Sequence, residues 1–373
     1  MEDIRQDKTV ELADAADRLG YRHAAMKFLR KGYRKKMKAA VYEREGVMTI
    51  QEIEKPGIRK ADDIIVRVEA CSVCGTDVHM LNVPPGYEAT PNTVLGHELV
   101  GEIVEVGDGV KNFRAGDRIV VNPNEFCGIC KYCRLNMPNQ CENLIMLGIE
   151  INGGFAEYVR VSEKCAFKIP ADMKKEIAAF AEPLACAVNG VQKACVRPED
   201  SVVVIGAGPI GLLYIQMMKL AGASPIISIE PNATRREYAL RCGADYAVDP
   251  TNEDAQAFVF EKTDGMGANV AFDVVGSQMT AGIDVVCKSG TVVLFGNNAK
   301  ARPEVKQSEI TYKEAKVMGS WLANATFPKA VELLASGKLD LEFLVTHTFP
   351  LDQTVEAIDV MRRGEGIEVL VIP

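Results

Sequence analysis

The sequence predicts an α/β chain with a β-rich part followed by a doubly wound parallel sheet, and a helical segment ahead of both. Three observations predict it. The 373 residues exceed one simple core, and about 150 residues per domain suggests two or three domains. From Met37 onward short apolar runs are separated by Gly and Pro, the pattern of an all-β unit. After "RPED" the pattern alternates strand and helix, which requires a parallel sheet with crossover helices.

Residues 1–36 stand apart. Val10, Leu12, Ala16, Leu19, Met26 and Leu29 recur at loosely helical spacing. Residues 1–17 carry six acids and two bases, and residues 18–38 carry nine bases and no acid. Anions early and cations late suit the helix macrodipole, so a solvated helical pair packed on the protein's own surface is expected. The β-rich part contains "KAAVYE", "IIVRVEA", "ELVGEIVEVG" and "DRIVVNP". A helix is expected to begin near Glu182, in "AEPLACAVNGVQKA". The alternating part runs from "SVVVIGAGPIGLLYIQMMKLAGASPIISIE" through "DYAVDP" and "VAFDVVG" to "TVVLFGN". The last fifty residues hold helices in "FPKAVELLASG" and "LDQTVEAIDVMRRG" and a closing strand, "IEVLVIP".

Composition excludes several classes. A net charge of −8 and a pI of about 5.3 argue against nucleic acid or an anionic membrane as partner. No apolar run reaches the length of a membrane span. "MEDIRQDKTV" lacks the apolar core of a secretory signal. Eleven cysteines are then expected in a reducing cytoplasm, where clustered thiols bind metal more often than they form disulfides.

"VVVIGAGPIG" places Gly206, Gly208 and Gly211 in G-x-G-x-x-G register after an apolar strand and before a helix. Gly206 permits the turn, Gly208 admits a pyrophosphate, and Gly211 lets helix and strand approach. The helix N-terminus favours phosphate. Glu230 ends the next strand, where a carboxylate can accept ribose hydroxyls and repel a 2′-phosphate. NAD is therefore expected over NADP. Expected cofactor contacts are Gly206, Gly208, Pro209, Ile210, Gly211, Glu230, Arg235, Phe295 and Gly296. Arg235 and Arg236 could soften the preference, lie along the adenine, or face solvent.

Cys127, Cys130, Cys133 and Cys141 offer four thiolates in one stretch. Four sulfurs complete a tetrahedron about Zn²⁺ and leave no open position. An iron–sulfur cluster is the alternative, although nothing else in the chain calls for one-electron chemistry. A second group, Cys74, His97 and Glu98, mixes S, N and O donors and could hold a zinc with an open position. Spacing alone leaves that group suggestive. Cys71 and Cys74 also read as a redox pair, and a lone histidine is commonly core. Cys165, Cys195, Cys242 and Cys287 are isolated and are expected to be small apolar fillers.

In combination, "CGTDVH", "GHELVGEIVEVGDGVKNFRAGDRI", the four-cysteine stretch, "EPLACAV", "VIGAGPIG" and "VMGSW" resemble the zinc-containing medium-chain dehydrogenases of the alcohol dehydrogenase superfamily. The polyol and threonine dehydrogenase branch is the most similar. The resemblance covers about Met37 to Pro373. It implies a GroES-like catalytic domain over 37–187, with a structural zinc lobe at 122–145. A Rossmann NAD-binding domain over 188–325 would interrupt it, and residues 326–373 would complete it. It implies two zinc ions per chain, a cleft active site, and a homo-oligomer, dimer or tetramer.

By the same resemblance, Cys74, His97 and Glu98 match catalytic zinc ligands. Glu182 occupies a position where many relatives place a cysteine ligand, and it lies beside the zinc or binds it. Cys186 is expected to be core. Thr76 and His79 match a proton relay, which a water-excluding site needs once zinc acidifies an alcohol. Hydride would pass to the nicotinamide. The implied reaction is NAD-linked oxidation of a secondary alcohol of a polyol, sugar or polyol phosphate to a ketone. The alternatives are L-threonine 3-dehydrogenase or another zinc alcohol dehydrogenase and, from a different class, a non-catalytic zinc- and nucleotide-binding scaffold.

Overall fold

The computed structural model describes residues 35–373. The helical segment expected at 1–36 therefore lies outside the described residues, apart from Lys35 and Lys36. A strand already begins at Lys36.

Strand Asp63–Ser72 is the centre of a seven-stranded sheet. Its neighbours include Glu98–Val106 and Tyr158–Ser162, both antiparallel to it. Glu368–Ile372 also pairs with it, Leu370 opposite Ser72 and Val371 opposite Cys71. The last strand of the chain thus lies beside one of the first. Val345–Pro350 adds a parallel edge next to it, through the crossover helix Thr354–Arg362. A parallel crossover of this kind needs the intervening helix to cover one sheet face. The covering residues Ala357 and Ile358 are fully buried.

The second sheet is parallel throughout and has six strands. Their order is 246–248, 226–229, 202–205, 268–273, 286–294, 316–319. Strand Val202–Ile205 is buried along its whole length, as expected where helices cover both faces. The order of connection reverses between 202–205 and 268–273. Ligands of such sheets sit at that switch point, beyond the carboxyl ends of the strands. The Gly206–Gly211 loop lies there.

Helix Ala181–Ala194 joins the two sheets. Every residue from Ala181 to Gly190 is buried, so it is a core helix, apolar nearly all round rather than striped. Its side chains share one core with Ala70, Val100 and Val120 of the first sheet, with Val202 and Phe272 of the second, and with Tyr214 of the helix Pro209–Ala221. No described helix is long and apolar enough to cross a membrane.

Candidate active site

Two neighbouring strand ends build the site. Strand Asp63–Ser72 runs out into Cys74, which caps the short helix Gly75–Met80. The Cys74 amide donates to Asp77 Oδ2 at 2.9 Å, so Asp77 closes the first turn with an anion at the helix N-terminus. His97 and Glu98 sit at the start of the antiparallel partner strand, where Glu98 lies opposite Ser72. Gly96 turns the chain with φ +87°, and a Cβ there would stand 2.8 Å from Cys71 Sγ and from the Phe155 ring. Only glycine fits that left-handed turn. It brings His97 and Glu98 to Cys74, 23 residues earlier in sequence. One ligand atom from each of the three lies within 4.8 Å of the others.

The site crowds negative groups away from water. His97, Glu98, Asp77, Glu182 and Glu368 are all buried. Burial, then Asp77 and Glu182, pushes the Cys74 thiol up to about 12. Burial, then Cys74, Glu368 and Glu182, holds Glu98 well above the usual carboxylate range. Burial likewise raises Asp77 and Glu182, against the opposing pull of His97. Burial works against a charged His97, but Asp77, Glu98 and Glu182 outweigh it and raise its pKa. Asp77 Oδ1 and His97 Nδ1 stand 3.8 Å apart, and neither has a hydrogen-bond partner among the described residues. A divalent cation would relieve this crowding, and S, N and O donors suit zinc. A carboxylate behind a histidine ring is the usual support of a ligating imidazole.

Glu182 lies in the first turn of helix Ala181–Ala194. It influences Cys74, His97 and Glu98 electrostatically but does not join their close set. Cys186, expected as core, is buried and also donates its Sγ–H to Glu182 Oε1 at 3.2 Å. It is core, as expected, and in addition orients a site carboxyl. Thr76 Oγ1 is 3.6 Å from Cys74 Sγ. His79, one turn on, is exposed and packs beside Gly86. Asp77, inside the stretch "CGTDVH", has no role among the expectations drawn from sequence. Its place in "CGTDVH", three residues after a cap position, was the available signal. Glu368 was missed altogether. It is buried, one carboxyl oxygen lacks a partner among the described residues, and burial pushes it up to about 7.

Cys127, Cys130, Cys133 and Cys141 form the other group. Cys130 and Cys141 sulfurs are 4.0 Å apart, near the roughly 3.8 Å edge of a tetrahedron with 2.3 Å zinc–sulfur bonds. Backbone amides of Cys127 and Asn143 donate to Cys141 Sγ, and that of Cys130 donates to Cys127 Sγ. Amides of Ile129 and Cys130 lower the Cys127 thiol to about 6. These four residues fit a closed zinc site. Of the isolated cysteines, 165, 242 and 287 are buried as expected, whereas Cys195 is exposed. It caps helix Ala181–Ala194 in left-handed conformation with φ 52°, so it is no filler.

At the switch point, Gly206 has φ +103°, and a Cβ on Gly211 would overlap the Gly206 carbonyl oxygen. Gly208 faces open space, and Pro209 opens helix Pro209–Ala221 with Ile210 behind it. Glu230 is buried and accepts from the Ala207 amide at 2.7 Å and the Asn232 amide at 2.9 Å. It therefore fixes the glycine loop itself. Arg236 is bound to the Glu230 and Pro231 carbonyls and pairs with Asp249. Arg235 extends toward Gly364. The Phe295 and Gly296 amides both donate to the Asp273 carbonyl, which places them beside the same crevice.

The fold is that of a zinc-dependent dehydrogenase, with two donor sets that could each hold a metal ion, and comparison with known proteins agrees on the family. The "Alcohol dehydrogenase GroES-like domain" family matches residues 60–171, and "Zinc-binding dehydrogenase" matches 209–336. The L-threonine 3-dehydrogenase of Thermococcus kodakarensis is 36% identical over 86% of this chain and 93% of its own. The sorbitol dehydrogenase of Halalkalibacterium halodurans is 35% identical over 90% and 99%. A crystal structure of a candidate zinc-binding dehydrogenase from Sinorhizobium meliloti, bound to NADP, superposes with a TM-score of 0.85. It is 34% identical and covers 91% of this chain and 100% of that one. The chain belongs to the zinc-binding alcohol dehydrogenase family.

Proposed function

We propose that this protein oxidises a secondary alcohol of a polyol, sugar or polyol phosphate to the ketone, with NAD as hydride acceptor. The observation that carries the reading is the close set Cys74, His97 and Glu98, of which His97 and Glu98 are buried. Zinc held there would act as a Lewis acid on the alcohol oxygen, and NAD would accept the hydride. Asp77 supports His97 from behind, leaving Nε2 for the metal. Glu182, held by Cys186, is the adjacent carboxylate that can exchange with Glu98. The Thr76 hydroxyl lies against Cys74, and His79 is exposed one turn further on the same helix face. The pair can carry the alcohol proton out of a closed site.

Glu230 supports NAD, since a 2′-phosphate would meet a buried carboxylate that already holds the loop. A kcat/KM larger with NADP than with NAD would overturn that preference. The domain limits, the structural role of the four-cysteine lobe, a cytoplasmic setting and a homo-oligomeric state belong to the same reading. Similarity to an L-threonine 3-dehydrogenase supports a second reading, oxidation of the threonine hydroxyl. Assays of sorbitol, xylitol, arabitol, galactitol, inositols and threonine with NAD decide between them. Turnover of a polyol is expected, and turnover of threonine alone would replace it. No turnover on any alcohol, with a single zinc per chain, would favour a scaffold.

A further inference from the structure

The four-cysteine lobe reaches the cofactor edge through one side chain. Asn139 lies in the short turn Pro138–Gln140, between the third and fourth cysteines. It is buried, and its Nδ2 donates to the Trp321 carbonyl at 2.7 Å, across 182 residues of sequence. The other carboxamide atom, Oδ1, has no partner among the described residues. Asn189, from helix Ala181–Ala194, donates to the same carbonyl at 3.2 Å and to that of Leu322 at 2.8 Å. Thr326 Oγ1 fastens the next turn to the Ala185 carbonyl at 2.6 Å.

These bonds hold a segment that the backbone alone would not favour. Leu322 and Ala325 have φ of 52° and 57°, and non-glycine residues in that region persist only where their surroundings dictate it. The segment leaves the end of strand Lys316–Gly319, and the Ser320 amide bonds the Leu294 carbonyl. It therefore borders Phe295 and Gly296 at the carboxyl edge of the parallel sheet, where a dinucleotide would lie.

We propose that Asn139 is a positioning residue through which the metal lobe sets the loop Gly319–Ala325 and so tunes dinucleotide binding. The proposal rests on the reading of that edge as the cofactor site. Asn139 is two residues from Cys141 and six from Cys133, so a metal that fixes those sulfurs fixes its carboxamide. Losing the lobe metal would free the Trp321 carbonyl from one of its two side-chain donors. Trp321 is the only tryptophan in the chain and is 37% exposed. Its emission can therefore report the state of this junction without any assay of turnover.

The test uses full-length protein and the variants Asn139→Ala and Asn139→Asp, neither of which touches a cysteine. NADH affinity is measured by titration, together with Trp321 emission, zinc content and the KM values for NAD and alcohol. Loss of one hydrogen bond that orders the loop is expected to weaken NADH binding about five-fold and to shift Trp321 emission. Two zincs should remain, with kcat and the alcohol KM within about two-fold. A purely structural Asn139 would lower the melting temperature and leave emission and NADH affinity unchanged, which overturns the proposal. Should both variants fail to fold, lobe zinc is released from wild-type protein with a mercurial. Trp321 emission must then change in step with zinc release, and unchanged emission again overturns it. Wild-type protein that binds no NADH would refute the functional reading instead.

Discussion

Cys127, Cys130, Cys133 and Cys141 come from one fifteen-residue loop near the surface, whereas Cys74, His97 and Glu98 come from two strand ends and sit among buried carboxyls. The first group is chemically uniform, bonded by its own backbone amides and satisfied by four sulfurs. The second mixes donors, leaves Asp77 Oδ1 and His97 Nδ1 unpartnered among the described residues, and is backed by Glu182 and Glu368. A local loop can hold a metal wherever it sits, which suits the shape-holding role proposed for it. A site assembled by a β-sheet gains a fixed, dry and electrostatically loaded position, which chemistry needs.

The contrast predicts a double dissociation, which has the largest effect. Cys74→Ser should lower kcat by about a thousand-fold, since Lewis-acid activation contributes several kcal/mol. Its melting temperature should stay close to that of the parent protein. Cys130→Ser should do the reverse, leaving kcat of the folded fraction largely intact. Losing a few kcal/mol of metal-linked stability should lower the melting temperature by roughly 6–12 °C. Calorimetry and steady-state kinetics on the same preparations check both. Equal loss of activity in the two variants would break the comparison.

Thiol chemistry separates the two groups next. In chelated protein Cys127 titrates near 6 and Cys74 near 12. The thiolate is the nucleophile, so Cys127 is reactive above about pH 6 and loses reactivity as pH falls below it. Cys74 stays a neutral thiol throughout that range. At pH 7 iodoacetamide should label Cys127 at least about a hundred-fold faster than Cys74. Peptide mapping reads the order, and faster labelling of Cys74 would contradict it.

How much of each region the sequence disclosed follows from the same difference. The lobe and the glycine loop are local, so their spacing sufficed to read them. Cys74, His97 and Glu98 were legible only through resemblance to a family, because spacing says nothing of two strand ends meeting at Gly96. Cys186 stands four residues from Glu182 on an expected helix, so the sequence puts both on one face, but the thiol-to-carboxyl hydrogen bond depends on packing that no spacing specifies. The surroundings of Glu368, which include the distant Ser72, and the Asn139–Trp321 bond across 182 residues come from far apart in the chain, and no pattern along the chain encodes them. The helical segment expected at 1–36 lies outside the described residues.

Asp77→Asn tests whether the close set depends on its surroundings in a way the lobe does not. The amide keeps the size of the carboxyl and can still accept from the Cys74 amide. It removes the charge behind His97. Supports of this kind contribute roughly 10- to 100-fold to metal affinity or activity. Chelator competition should show that much weaker binding of one zinc and no change in the other. Equal weakening of both would mean that Asp77 acts on the whole fold.

The matching change at the lobe should be far smaller. Asn143 donates its backbone amide to Cys141 Sγ at 3.3 Å and its side-chain amide to Cys127 Sγ at 3.7 Å. Asn143→Ala removes only the second bond, which is long, exposed and made to a weak acceptor. Its net contribution should fall at the low end of the range for hydrogen bonds, about 0.5 kcal/mol. That corresponds to a shift of roughly 1–2 °C in melting temperature. Backbone donors, which Asn143→Ala leaves in place, still hold the sulfurs, so zinc content should not change. A fall comparable to that of Asp77→Asn would show that the lobe leans on its side-chain surroundings as heavily as the close set does.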